Sequence, residues 1–370
     1  MTMSAEVRVL QVLGSSAGGV ARHVRQLGEA LSAPAPDGPG WTVHVAGPGA
    51  LADDVAPAGG RVVLDPVEIA DRPRPDDVAA VRRLRALARG ADVVHAHGLR
   101  AGALAVLATR SLPSAHRPRL VVTLHNLTVG GRAVRTVSAV LERVVARGAD
   151  VVLGVSGDLV ARAQGLGARA TERALVPAPP RPQGLTAQVA VRDGLAVVPG
   201  QPLLVTVARL APQKGLGTLL DAAALLRDTG AVWLVAGDGP LLGPLDVRVA
   251  DERLPVRLLG RRGDVPDLLA AADVVVSTAV WEGQPIAIQE ALQLGAAVVA
   301  TGAGGTREVT GDDGAVLVPV GDAAAVAAAV RALLEDPARR DALRAAARRR
   351  AGELPDLPAV VGQLRRVYGA

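Results

Sequence analysis

Cysteine and phenylalanine are absent from this chain of 370 residues, tyrosine occurs once (Tyr368), tryptophan three times (Trp41, Trp233, Trp281), and lysine once, as Lys214. Without thiols there are no disulfides, no thiolate metal sites and no cysteine nucleophile. With so few aromatics, cores must be built from Ala, Val and Leu, which an apolar content of 49% supplies. No uninterrupted apolar run approaches the ~20 residues needed to span a bilayer. The N-terminus lacks the order of a signal peptide, and "VRVLQVL" reads as a first strand, so a soluble cytoplasmic protein is expected, with peripheral contact at the inner membrane face left open. No basic run is interleaved with stacking aromatics, which speaks against nucleic acid.

What is present is strongly patterned. The length favours two domains. Short apolar runs alternate with longer amphipathic stretches: "VRVLQVL", "WTVHVAG", "RVVLD", "DVVHAHG", "LVVTLHN" and "DVVLGVS", then "LLVTVAR", "VWLVAG", "VRLLG", "DVVVSTA", "AAVVAT" and "GAVLVP". Runs of this length separated by helical segments indicate parallel sheets covered on both faces, hence an α/β protein of two doubly wound domains. The proline-rich segment 176–188, "VPAPPRPQGLTAQ", continues neither sheet nor helix. Domains over 1–183 and 184–354 follow, with 355–370 as a separate helix packing back on the first. Charge is uneven: 22 arginines face 15 carboxylates through Gln183, and 19 basic face 21 acidic residues afterwards. Such an excess suits solvated helix faces or an anionic partner of the first half, such as a phosphorylated substrate or a membrane surface.

Ligands of doubly wound sheets bind beyond the carboxyl ends of strands, and two such domains facing one another enclose a cleft. Arg209 and Lys214 directly follow the strand "LLVTVA". A guanidinium fork and a compact ammonium on one loop suit a diphosphate. Further on, "VWEGQPIAIQEALQLG" places Glu282 in a loop and Glu290 in a helix, with Pro285 expected in that helix's first turn. The unpaired amides of the helix start form a phosphate site, and the two carboxylates suit sugar hydroxyls.

"RLAPQKG" followed by "EGQPIAIQEALQLG" resembles the retaining GT-B glycosyltransferases of family 4, the glycosyl transferases group 1, with their Arg-x4-Lys and Glu-x7-Glu pairs. "AGDGPL", "LLGRRGDVPDLLAAADVVV", "GGTREV" and "GAVLVPVGD" extend the resemblance through the second half. It implies a GT-B architecture, two Rossmann-like domains facing a central cleft. It implies a hexosyltransferase moving a hexose, with retention, from a GDP-, UDP- or ADP-linked donor to an acceptor hydroxyl on a small molecule, glycan or lipid. By the same resemblance Arg209 and Lys214 hold the diphosphate, Glu282 contacts the transferred sugar and Glu290 the ribose, with Gly283, Gln284, Pro285 and Ile286 lining the donor site. Gly18 and Gly19, in a glycine turn after the first strand, match the family's N-terminal glycine loop, where positive φ would let amides approach the donor. His97 matches the histidine that reaches the donor sugar; Arg209, Lys214, Glu282 and His97 are the expected catalytic set.

No cofactor is expected. His95, His97 and His125 raise the thought of zinc, but no carboxylate pattern accompanies them, so no metal is expected. With no D-x-D sequence, the leaving diphosphate must be met by Arg209, Lys214 and the helix end near Pro285. Three positions depart from the family habit: Ala279 replaces a small hydroxyl residue, Gln284 an aromatic, and "VPAPPRP" an Asn-Gly turn. The alternatives are a sugar-nucleotide epimerase or hydrolase of similar fold, and a non-catalytic nucleotide-sugar-binding module.

Overall fold

The computed structural model describes residues 6–15, 19–34, 40–70, 72–127, 131–179 and 185–369. The chain divides into two compact units, residues 1–177 with 355–370, and residues 178–354. The expected boundary between 183 and 184 lies outside the described residues.

The first unit carries seven strands: β1 Val7–Leu13, β2 Trp41–Gly47, β3 Val63–Pro66, β4 Val93–His97, β5 Arg119–Leu124, β6 Val151–Gly154 and β7 Thr171–Arg173. They form one parallel sheet in the order β3-β2-β1-β4-β5-β6-β7. The order reverses between β1 and β4, so the crevice at their carboxyl ends is where such a sheet receives a ligand. Register sets Gln11 beside His95 and Leu13 beside His97, and His97 beside Thr123 of β5. The helix Gly19–Leu31 buries Ala21, His23, Val24, Leu27, Gly28 and Leu31, the three-and-four spacing of one helical face. His23 is therefore turned into the core. The helix Leu357–Tyr368 belongs to this unit and buries Val360, Gln363, Leu364, Val367 and Tyr368.

The second unit carries β8 Leu203–Val207, β9 Val232–Ala236, β10 Val256–Gly260, β11 Val274–Ser277, β12 Val298–Thr301 and β13 Val316–Val318. Their parallel order is β10-β9-β8-β11-β12-β13, reversing between β8 and β11. Both faces are dry. Leu204, Trp233, Val235, Val274 and Val276 enter one core, while Leu203, Val205, Leu234 and Val275 enter the other. That alternation is the two-residue period of a strand with apolar side chains on both sides. In a chain without phenylalanine, Trp233 is the largest fully buried side chain, and its indole N–H donates to Thr206 Oγ1 over 3.0 Å. The Thr206 hydroxyl donates onward to the Val276 carbonyl over 2.7 Å, so the tryptophan's polar edge is satisfied inside the core.

Candidate functional site

In the second unit the site grows from the two loops at the switch point. After β8 the chain passes Arg209, makes a short 3-10 turn over Pro212–Lys214 and enters the helix Leu216–Leu225. After β11 it runs through Thr278–Pro285 into the helix Ile286–Gln293. One backbone and two side-chain hydrogen bonds knit the loops together: Val280 N–H donates to the Gln213 carbonyl at 2.9 Å, Gln213 Nε2 to the Trp281 carbonyl at 3.0 Å, and the Thr278 hydroxyl to the Lys214 carbonyl at 3.2 Å.

Glycine makes this approach possible at two points. Gly215 has φ +60°, and a Cβ there would sit 2.0 Å from the Thr278 carbonyl oxygen. Gly304, with φ +51°, would set a Cβ 2.1 Å from the carbonyl oxygen of Glu282, which instead accepts the Gly305 N–H at 2.8 Å. A left-handed backbone pressed against a carbonyl tolerates no side chain.

The result is an ion pair. Lys214 Nζ lies 2.5 Å from Glu282 Oε1, although 68 residues separate them. Glu282 is buried at 9% exposure and Lys214 half-buried, so the pair is shielded from the salt and water that weaken surface ion pairs. Arg209 is exposed and joins no ion pair among the described residues. Gly283 and Pro285 are buried, and Gln284 Oε1 accepts from Nε2 of the buried Gln289 at 2.9 Å. Ile286 opens the helix, Glu290 lies one turn further in and is half-buried, and no side chain caps the helix start. Pro285 corrects one expectation: it is the residue before the helix, with ψ 95°, rather than part of its first turn.

In the first unit the loops after β1, β4 and β5 border a pocket of about 230 Å³ lined by Gly14, Ser15, His97, His125 and Asn126 among others. Gly18 lies outside the described residues. Gly19 is exposed and is the first residue of the helix Gly19–Leu31. His97 is buried at 1% exposure, and its Nδ1 lies 3.2 Å from His125 Nε2. His95 and His23 complete a cluster: the His95 and His97 centroids are 4.2 Å apart, and His23 meets His97 and His125 edge-on at 6.0 and 5.7 Å. Burial lowers the pKa of all four; His23 falls to about 4, and His95 to about 3 with a smaller push from His23. The cluster is therefore uncharged near neutral pH. Among the described residues no group of three or more histidine, aspartate or glutamate side chains is arranged to hold a metal ion.

Several site residues gave little sequence signal. Gly215 and Gly304 sit inside quoted motifs, yet their need appears only when the neighbouring carbonyls are in place. His23 was signalled by helical periodicity alone. Tyr368, which bonds His95, comes from the other end of the chain.

Comparison with known proteins places both units in described families. Residues 18–179 match the family described as glycosyl transferase 4-like domain, and residues 201–336 match glycosyl transferases group 1. A UDP-Gal:alpha-D-GlcNAc-diphosphoundecaprenol alpha-1,3-galactosyltransferase of Escherichia coli is 38% identical over 96 residues, 24% of this chain and 25% of that protein. A 2-deoxystreptamine glucosyltransferase of Streptomyces kanamyceticus is 32% identical over 146 residues, 38% of each chain. The matched segments thus span well under half the length of these relatives. In fold, the crystal structure of Anabaena HepE in complex with UDP superposes with a TM-score of 0.78 at 20% identity, covering 98% of this chain and all of the other. With two doubly wound parallel units, each matched to its own family domain, the chain belongs to the GT-B glycosyltransferases of group 1.

Proposed function

We propose that the protein transfers a hexose from a nucleotide diphosphate sugar to an acceptor hydroxyl, with retention at the anomeric carbon. The observation that carries this reading is the Lys214–Glu282 pair at 2.5 Å, formed between the loop that also carries exposed Arg209 and the loop that leads into the helix starting at Ile286. A diphosphate entering this site brings negative charge that competes with Glu282 for the ammonium. Lys214 then acts as a point charge on one phosphate oxygen, Arg209 as a fork across others, and the amides at Ile286 as a fixed dipole. Glu282, relieved of part of its partner, turns to the hydroxyls of the transferred sugar, while Glu290 takes the ribose, with Gly283 and Gln284 completing the wall.

In the step itself the bond between the anomeric carbon and the phosphate oxygen breaks. The acceptor oxygen bonds to that carbon from the same face, and its proton passes to the departing diphosphate. Charge accumulates on the leaving group, so preorganised cations supply the main stabilisation and no metal is needed. His97, held neutral, offers a hydrogen bond to the sugar near the reacting centre.

The donor class draws support from relatives: HepE was crystallised with UDP-glucose, and the E. coli relative is named for UDP-Gal. A lipid acceptor and peripheral membrane contact are part of the proposal, resting on the helix Arg132–Gly148. It exposes Val134, Val137 and Val140 alongside Arg132, Arg143 and Arg147. No helix among the described residues is long and apolar enough to cross a membrane. Salt-sensitive sedimentation with anionic vesicles checks this contact, and its absence removes it.

The deciding experiment is a thermal-shift screen against UDP-, GDP- and ADP-hexoses, followed by product analysis with mixed acceptors. A bound donor raises the melting temperature by mass action. Product without acceptor identifies a hydrolase or epimerase; binding with no product identifies a binding module.

A further inference from the structure

Beneath the strand ends of the first unit runs a buried polar seam comprising Gln11, His23, His95, His97, Thr123 and Tyr368. The phenol of Tyr368 lies 2.6 Å from His95 Nδ1, and the Thr123 hydroxyl 2.7 Å from His95 Nε2. A neutral imidazole has one donor and one acceptor nitrogen, and a hydroxyl serves either. Both nitrogens of His95 are thus satisfied, which fixes the rotation of its ring. That ring packs against His97 with 34° between planes, while His125 stacks on His97 from its own side at 5.4 Å.

The support reaches back to the end of the chain. Gln363 accepts the Leu175 N–H at 2.8 Å and donates to the Arg173 carbonyl at 2.7 Å and to Glu172 at 2.6 Å. Arg119 Nε donates to the Val367 carbonyl at 2.6 Å, and Trp41 packs on the Tyr368 ring at 5.8 Å. The helix Leu357–Tyr368 is therefore tied to the edge strand β7 through Gln363 at its middle and sets its phenol against His95 of β4 at its C-terminal end. A core that needed only volume would take leucine here, because a buried hydroxyl is costly unless bonded. The chain's sole tyrosine sits where its hydroxyl meets a histidine.

We propose that Tyr368 is a positioning residue that orients His97 through His95. The inference rests on His97 working at the reacting centre, as proposed above; Tyr368 itself touches neither donor nor acceptor. Burial raises the Tyr368 pKa and lowers that of His95 to about 3, so the contact stays phenol to neutral imidazole across the physiological range.

Two shape-conserving variants test it, Tyr368→Phe and Thr123→Val, each removing one of the two hydroxyls on His95. Each is expected to lower kcat roughly tenfold, the cost of a small misplacement at a reacting centre. KM for the nucleotide sugar stays unchanged, because the donor's proposed cations belong to the other unit. The double variant falls by less than the product of the two effects, because both act through one ring. Nitrogen-15 NMR of the histidines gives a readout independent of activity, in which Tyr368→Phe shifts the His97 ring resonances. Unchanged His97 resonances in both variants overturn the proposal, as does wild-type kcat in both. If the wild-type protein transfers sugar from no donor, the transferase reading fails, and the NMR comparison still decides whether Tyr368 orients His97.

Discussion

Both units present a site where the strand order reverses, yet they furnish it with opposite kinds of polar group. The second relies on charge: an ammonium and a carboxylate in contact, with exposed Arg209 on the same loop as the ammonium. The first relies on neutral groups: three buried imidazoles, a half-buried fourth and a phenol, whose pKa values are all displaced against ionisation. All six histidines precede residue 126, and the single lysine follows it. A departing diphosphate needs fixed charge, whereas a sugar hydroxyl needs hydrogen bonds that bring no charge to be desolvated. On the proposed function, one architecture would serve both needs, because its strand ends accept either set of side chains.

The widest gap between the units should open in acid. Burial holds His23 and His95 below the ordinary imidazole value of about 6.5, so the unfolded chain takes up protons first as pH falls. Their contribution is complete above ~6.5 and is lost toward 4 and below, at about 1.4 kcal/mol per pH unit for each histidine. Hydrogen exchange followed by mass spectrometry should show β1, β4 and β5 losing protection between pH 6 and 4 while β8, β9 and β11 keep theirs. Simultaneous loss would remove the contrast. Next in size is Lys214→Ala, which deletes the point charge and strands Glu282. A drop of ~10²- to 10³-fold in kcat/KM is expected, with the first unit's melting unaffected. Gly304→Ala forces a Cβ onto the Glu282 carbonyl and should cost about 2 kcal/mol of second-unit stability in chemical denaturation, with reduced donor affinity. The smallest effect belongs to Lys214→Arg. It keeps the charge but not the shape, and about tenfold in kcat/KM, or about 1.4 kcal/mol, is the expected loss.

The strands of both sheets were legible because each is a run of apolar residues bounded by polar turns. The exception is β7, Thr171–Arg173, three half-buried residues of which two are charged. Its pairing is held by Val152 and its neighbours and by Gln363, not by its own composition. Side chains at or shortly after strand ends, such as His97, Arg209 and Lys214, could be placed there from order alone. What stayed hidden depends on distant backbone: the left-handed Gly215 and Gly304 answer carbonyls some 20 to 60 residues away. The histidine seam was hidden for a related reason, since helix, sheet and C-terminal helix contribute to it from separate parts of the sequence.

That Lys214 is the only lysine also has a chemical consequence. Apart from any terminal α-amine, every amine-directed reagent, whether an acylating label, a reductive alkylation or an enzymatic acetyl donor, has one side chain to find. Arginine, always protonated, does not compete for such reagents. Labelling stoichiometry therefore reads the accessibility of a single half-buried ammonium, and a bound diphosphate should protect it. The protein carries its own site-specific reporter, and amine coupling to a solid support would block the same site it is meant to display.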